Sequence, residues 1–141
     1  MLVWKENFSI GMKIIDAQHK HLFDIGNQAY LLLENGLKVD KYDDINLIIE
    51  DLERYTIYHF KCEEEYMLKI NYSGYDNQKR EHTEFVNKIH KMRLVDIDKD
   101  QQEAIEDLLA VIFNWLIDHI LGEDRLIMGG RGRTKKDRIY N

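Results

Sequence analysis

The sequence predicts an all-α protein, an antiparallel up-down-up-down four-helix bundle preceded by an N-terminal arm. Three observations carry this. Apolar residues recur at three- and four-residue spacing in four successive stretches, each long enough for several helical turns. No proline interrupts the 141 residues, and proline is the residue that most often breaks or kinks a helix. Short polar segments separate the stretches, and short connections make consecutive helices antiparallel neighbours.

Residues 1–15 read as the arm, with apolar anchors at Leu2, Val3, Trp4, Phe8 and Ile10 and a break at Gly11. Asp16 is the expected N-cap of the first helix, because a short carboxylate can accept from the free N–H groups of a first turn. Its stripe of Leu22, Ile25, Ala29, Leu32 and Leu33 runs to Asn35-Gly36, a natural stop. Asp40 or Asp43 opens the second helix, which carries Ile45, Ile48, Leu52 and Thr56 and runs to about Ile70. Asn71-Tyr72-Ser73-Gly74 is turn chemistry. Asp76 is expected to cap a third helix that continues through His82, Phe85, Ile89 and Met92. Asp100 and Glu103 have the spacing of a capping box, and the fourth helix follows through Ile105, Leu108, Ile112 and Leu116 to a stop near Gly122. The bundle is read as residues 1–128 and the remainder, 129–141, as a flexible basic tail.

Composition narrows the function. A chain that is 44% hydrophobic and 33% charged is an ordinary globular domain. The lone Cys62 excludes an intrachain disulfide and suggests no oxidising compartment. No apolar run is long enough for a signal peptide or a membrane span, so a cytoplasmic protein without a membrane partner is expected. Net charge is −6; residues 129–141 hold five basic and one acidic residue, which leaves −10 on the rest. An acidic body argues against a nucleic-acid partner.

The chemistry lies on the apolar stripes. His59 and Glu63 are four apart and share one face of the second helix. Gln78 and His82 do the same on the third, while His19 and His119 sit on the stripes of the first and fourth. Asp124 is five residues past His119, about 140° away on a regular helix, but a helix loosened at Gly122 would bring it inward. One histidine on such a stripe is usually a core histidine satisfied by a neighbour. Together, groups that each cost about 1–3 kcal/mol when buried without a partner would consume much of a typical stability of about 5–15 kcal/mol. A metal satisfies them better. Imidazole and carboxylate donors suit iron, manganese or zinc rather than calcium or magnesium. A single four-coordinate ion would leave donors over, so two ions bridged by Glu63 and Asp124 is the better count.

The combined spacing of His19, His59-x-x-x-Glu63, His82 and His119-x-x-x-x-Asp124 resembles the hemerythrins, especially the bacterial single-domain ones. Asp16-Ala17-Gln18-His19-Lys20, His59-Phe60, Gly74-Tyr75 and Trp115-Leu116-Ile117-Asp118-His119-Ile120 support it, and the likeness spans about residues 3–128. The resemblance implies a non-catalytic protein that binds dioxygen reversibly, as carrier, store or sensor, at two non-haem irons with an oxo or hydroxo bridge. It further implies that His19 and His59 hold the oxygen-binding iron, His82 and His119 the other, and Glu63 and Asp124 both. By the same resemblance Trp115, Leu116 and Ile120 line the oxygen pocket; as residues they read equally well as plain core.

The chain departs from that pattern in one place. The family has His-x-x-x-His on the third helix, and here Gln78 stands where the first of these histidines is expected. Three outcomes are open: the Gln78 amide oxygen binds as a weaker ligand, a water held by Gln78 takes the place, or the second iron binds poorly. His21, His90 and Glu81 do not read as substitutes, and Glu64 and Glu65 read as solvated. A di-iron oxidase or peroxidase-like enzyme and an iron-handling bundle are the alternatives to an oxygen carrier.

Overall fold

A computed structural model describes residues 2–130, with side chains through Ile127. Four long helices form the molecule: α1 (Lys13–Glu34), α2 (Tyr42–Lys69), α3 (Tyr75–Leu94) and α4 (Gln101–Asp118). A π-helical segment, His119–Asp124, continues α4 into a short α5 (Arg125–Gly130), and single 3-10 turns occur at Glu6–Phe8 and Ile97–Lys99. No strand occurs among the described residues. The expected four-helix bundle is the observed architecture. Helix α1 packs on α2 and α4, and α2 on α3.

Each helix buries the stripe its sequence repeats. Leu22, Ile25 and Ala29 of α1, Ile45, Ile49 and Leu52 of α2, Phe85 and Ile89 of α3, and Ile105, Leu108 and Ile112 of α4 are all buried. These residues fill one half of the bundle with apolar packing, and the polar stripe residues fill the other. Gly26 lets α1 and α4 approach closely, since a Cβ there would lie 2.6 Å from the Phe113 ring.

Three helix starts differ from expectation. α1 begins at Lys13 with Met12 at its N-cap, so Asp16 lies inside the first turn. Its carboxylate instead accepts from the Ile10 amide at 2.9 Å and from the Ser9 hydroxyl, tying down the arm next to Gly11, whose φ of 86° a side chain would oppose. α2 begins at Tyr42, so Asp43 also lies in the first turn while Asp40 Oδ1 accepts from the Tyr42 amide at 3.1 Å. Asp76 sits in the first turn of α3, behind Gly74. In all three the acidic residue still faces the positive end of the helix dipole. At α4 the expected cap is present, with the Asp100 side chain accepting from the Glu103 amide at 3.0 Å.

The turn after α2 is a Schellman motif. The Tyr72 amide donates to the Met67 carbonyl at 2.9 Å and the Asn71 amide to Leu68 at 3.2 Å, with Asn71 left-handed at φ 52°. The arm lies against the bundle. Leu2 exchanges two hydrogen bonds with Asn27, at 2.9 and 2.8 Å, Trp4 and Phe8 pack on Phe23, and the Arg125 guanidinium donates to the Asn7 carbonyl. Of the tail, Gly129 and Gly130 belong to α5, and residues 131–141 lie outside the described residues. Among the described residues no helix is long and apolar enough to cross a membrane.

Candidate metal centre

All seven polar residues expected to face inward do so: His19, His59, Glu63, Gln78, His82, His119 and Asp124 are buried. Asp124 arrives by the loosening that Gly122 suggested. The fourth helix does not stop there; it widens to π geometry over His119–Asp124. A wider turn takes in an extra residue, so a five-residue step brings His119 and Asp124 to one face, and their Nε2 and Oδ1 are 2.9 Å apart.

The carboxylates stand between the histidines. Glu63 turns Oε1 toward His59 Nε2 at 2.9 Å and His19 Nε2 at 3.2 Å, and Oε2 toward His82 Nε2 at 3.1 Å. Asp124 turns Oδ2 toward His19 Nε2 at 3.0 Å and Oδ1 toward His119. Each carboxylate thus divides its oxygens between the two halves of the site. Donor atoms of His19, His59, Glu63 and Asp124 form one compact quartet, and those of Glu63, His82, His119 and Asp124 another, each within 4.8 Å.

The unsatisfied atoms show that the site fits metal ions. Glu63 Oε2, Asp124 Oδ2 and Gln78 Oε1 are buried acceptors with no hydrogen-bond partner. His82 Nε2 and His119 Nε2 face each other at 3.1 Å, where two lone pairs on neutral rings would repel. Cations placed among them relieve both problems. Without metal, protons take that part. Burial pulls the His19 imidazole down, but Asp124 and Glu63 override it and push it up to about 9. His119 is likewise raised, by Asp124 against the effect of burial. Burial would raise Glu63, yet the His59 charge and close contacts with His19, His59 and His82 hold it well below its usual value. Asp124 is lowered by His119 and His19 against burial and the Glu63 charge.

Gln78 is fully buried and its amide donates to Asp124 Oδ1 at 3.3 Å. His21 instead packs against the Tyr55 ring, and His90 is exposed, so neither joins the buried donor cluster. Trp115, half-buried, stacks on His119 with ring centres 4.2 Å apart, and Leu116 and Ile120 are buried beside it in sequence. Cys62 is half-buried and free.

Three residues of the site were not anticipated. Gln18 Oε1 meets His59 Nδ1 at 2.7 Å, and Glu64 Oε2 meets His82 Nδ1 at 2.8 Å. Glu81 Oε2 lies 3.2 Å from His119 Nδ1, within ion-pair distance but without the alignment of a hydrogen bond. Glu64 is therefore not solvated; its side chain is 13% exposed, whereas Glu65 is exposed as expected. Each follows or precedes an inward-facing residue on its own helix, about 100° round, and so reaches the histidine of the next helix.

Comparison with known proteins agrees with this geometry. Residues 11–129 match the hemerythrin HHE cation binding domain. Bacteriohemerythrin of Clostridium acetobutylicum is 41% identical over 125 residues, covering 89% of this chain and 97% of that protein. Bacteriohemerythrin of Stenotrophomonas maltophilia is 26% identical, over 89% of this chain and 78% of its own length. Myohemerythrin of Riftia pachyptila is 30% identical, over 86% and 87% of the two chains. A family match along most of the length, together with relatives of this similarity, means that the chain belongs to the hemerythrin family.

Proposed function

We propose that this chain binds dioxygen reversibly at a pair of non-haem irons, as a carrier, store or sensor. Hemerythrins are oxygen-binding proteins rather than enzymes. The observation that carries the di-iron reading is the division of oxygens by Glu63 and Asp124 between two donor quartets. His19 and His59 would hold the oxygen-binding iron, His82 and His119 the second, and the two carboxylates would be shared between them. Bound there, two irons with an oxo or hydroxo bridge would supply the electrons for reversible oxygen binding.

The protein's part is placement and exclusion. Glu63 and Asp124 bring two negative charges into a buried site and would offset half of the charge of two divalent ions. Gln78 Oε1, buried and without a partner, completes the second half as a neutral donor, with its N–H group held by Asp124. Trp115, Leu116 and Ile120 keep water from the pocket, which disfavours loss of electrons from the irons.

Two experiments test the proposal. The reduced, iron-loaded protein should develop a visible charge-transfer band on exposure to air and lose it under vacuum. Absence of a reversible band refutes oxygen binding. Glu63→Ala should lose both irons together, because it deletes a bridge; two irons per chain in that variant would refute the bridging role.

A further inference from the structure

The outer nitrogens of the four histidines are held unequally. His82 Nδ1 meets the Glu64 carboxylate at 2.8 Å, and His119 Nδ1 has the Glu81 carboxylate 3.2 Å away. His59 Nδ1 meets only the neutral Gln18 amide, at 2.7 Å, and His19 Nδ1 has no hydrogen-bond partner. Both carboxylates fall on the half of the site where Gln78 stands in place of an imidazole.

Glu81 Oε2 is buried at ion-pair distance, 3.2 Å, from His119 Nδ1 and has no hydrogen-bond partner. Glu64 is held in place from outside, its Oε1 accepting from Lys79 at 2.8 Å, beside a groove of about 350 Å³ that His82 and Phe60 also line. Ring stacking fixes the same two histidines on their faces. Phe60 lies parallel to His82 at 3.9 Å and 4°, and Trp115 to His119 at 4.2 Å and 12°.

We infer that Glu64 and Glu81 are positioning residues that offset the missing imidazole at the His82/His119 metal position. The inference rests on the di-iron reading above. A carboxylate on the outer nitrogen of a ligating histidine keeps the proton there, aims the inner nitrogen at the metal and strengthens it as a donor. The Glu64–His82 contact is of the charge-assisted kind, and such hydrogen bonds are about twice as strong as neutral ones. An amide oxygen is a weaker donor to iron than an imidazole, so this half needs stronger donors from the two imidazoles it retains. The His19/His59 half, which also holds two imidazoles, has only an amide and a bare nitrogen behind them.

The test uses the full chain loaded anaerobically with ferrous iron and challenged with a ferrous chelator, with iron per chain followed in time. Wild type should hold two irons. Glu64→Gln and Glu81→Gln, which preserve shape and remove charge, should each release one iron about 10–100 times faster, the usual scale for such partners, and keep the other at the wild-type rate. Adding Gln78→His to either variant should restore retention, which a general loss of packing would not allow; circular dichroism of the metal-free variants checks that the bundle is intact. Release at wild-type rates from both variants, or no rescue by Gln78→His, overturns the inference. Fewer than two irons in the wild type overturns the di-iron reading and the inference with it.

Discussion

Glu63 and Gln78 set the character of the site at the scale of single residues. Glu63 faces three imidazoles with two oxygens, a demand that one four-residue step from His59 cannot reveal. Gln78 stood out in the sequence because the family resemblance leads one to expect a histidine there, and its burial was legible from the stripe. Gln18, Glu64 and Glu81 were not legible as partners. Each is polar and beside an inward-facing residue, a position that on a lone helix reads as a solvated flank; in a bundle the same direction points at the neighbouring helix. The signal that could have found them is a polar residue flanking a core-facing donor. With a neutral amide in place of an imidazole, the second iron should be more open and oxidise faster. Stopped-flow oxidation of the iron-loaded protein beside its Gln78→His variant should show the variant to be slower, and equal rates would sink the idea.

Among the elements, the π segment matters most. It sets His119 and Asp124, five residues apart, on one inward face. Deleting Gly122 would leave a four-residue step, about 40° on a regular helix, and a Cβ at Gly122 meets nothing within 4 Å. Deletion should therefore keep both irons while removing the π turn; loss of metal would show that the wider turn itself is required. The start of α4 gives a second prediction at this scale. Asp100→Ala removes the acceptor for the Glu103 amide and should lower stability by about 1 kcal/mol in denaturant unfolding. No change would mean that water replaces the cap.

For the whole molecule, the buried cluster couples folding to pH and to metal. In the metal-free protein His19 rises from 6.5 to about 9. A group whose value is raised on folding stabilises fully below its unfolded value, and that contribution is lost as pH climbs through the folded one. Metal-free stability should thus fall between pH 6.5 and 9 by up to roughly 3 kcal/mol, at 1.36 kcal/mol per unit. Glu63 and Asp124 are lowered, so their contribution is present above the ordinary carboxylate range and lost in acid. Denaturant midpoints of the metal-free chain at pH 6 and 9.5 check this, and equal midpoints would refute the charge pairing. Iron bound as proposed would displace the His19 proton, so iron uptake should strengthen over the same rise in pH.

The sequence by itself determined the four helices, the face each buries and the types of donor on those faces, because helical period converts spacing into direction within one helix. It also marked Gly122 as the place where the fourth helix could loosen. What only the tertiary structure decided lies between helices: which oxygen of Glu63 and Asp124 faces which half, where the Gln78 amide donates, and which side chain holds each outer nitrogen. Directions around one axis are local, whereas those contacts depend on how the axes pack and on the π turn that carries Asp124 inward.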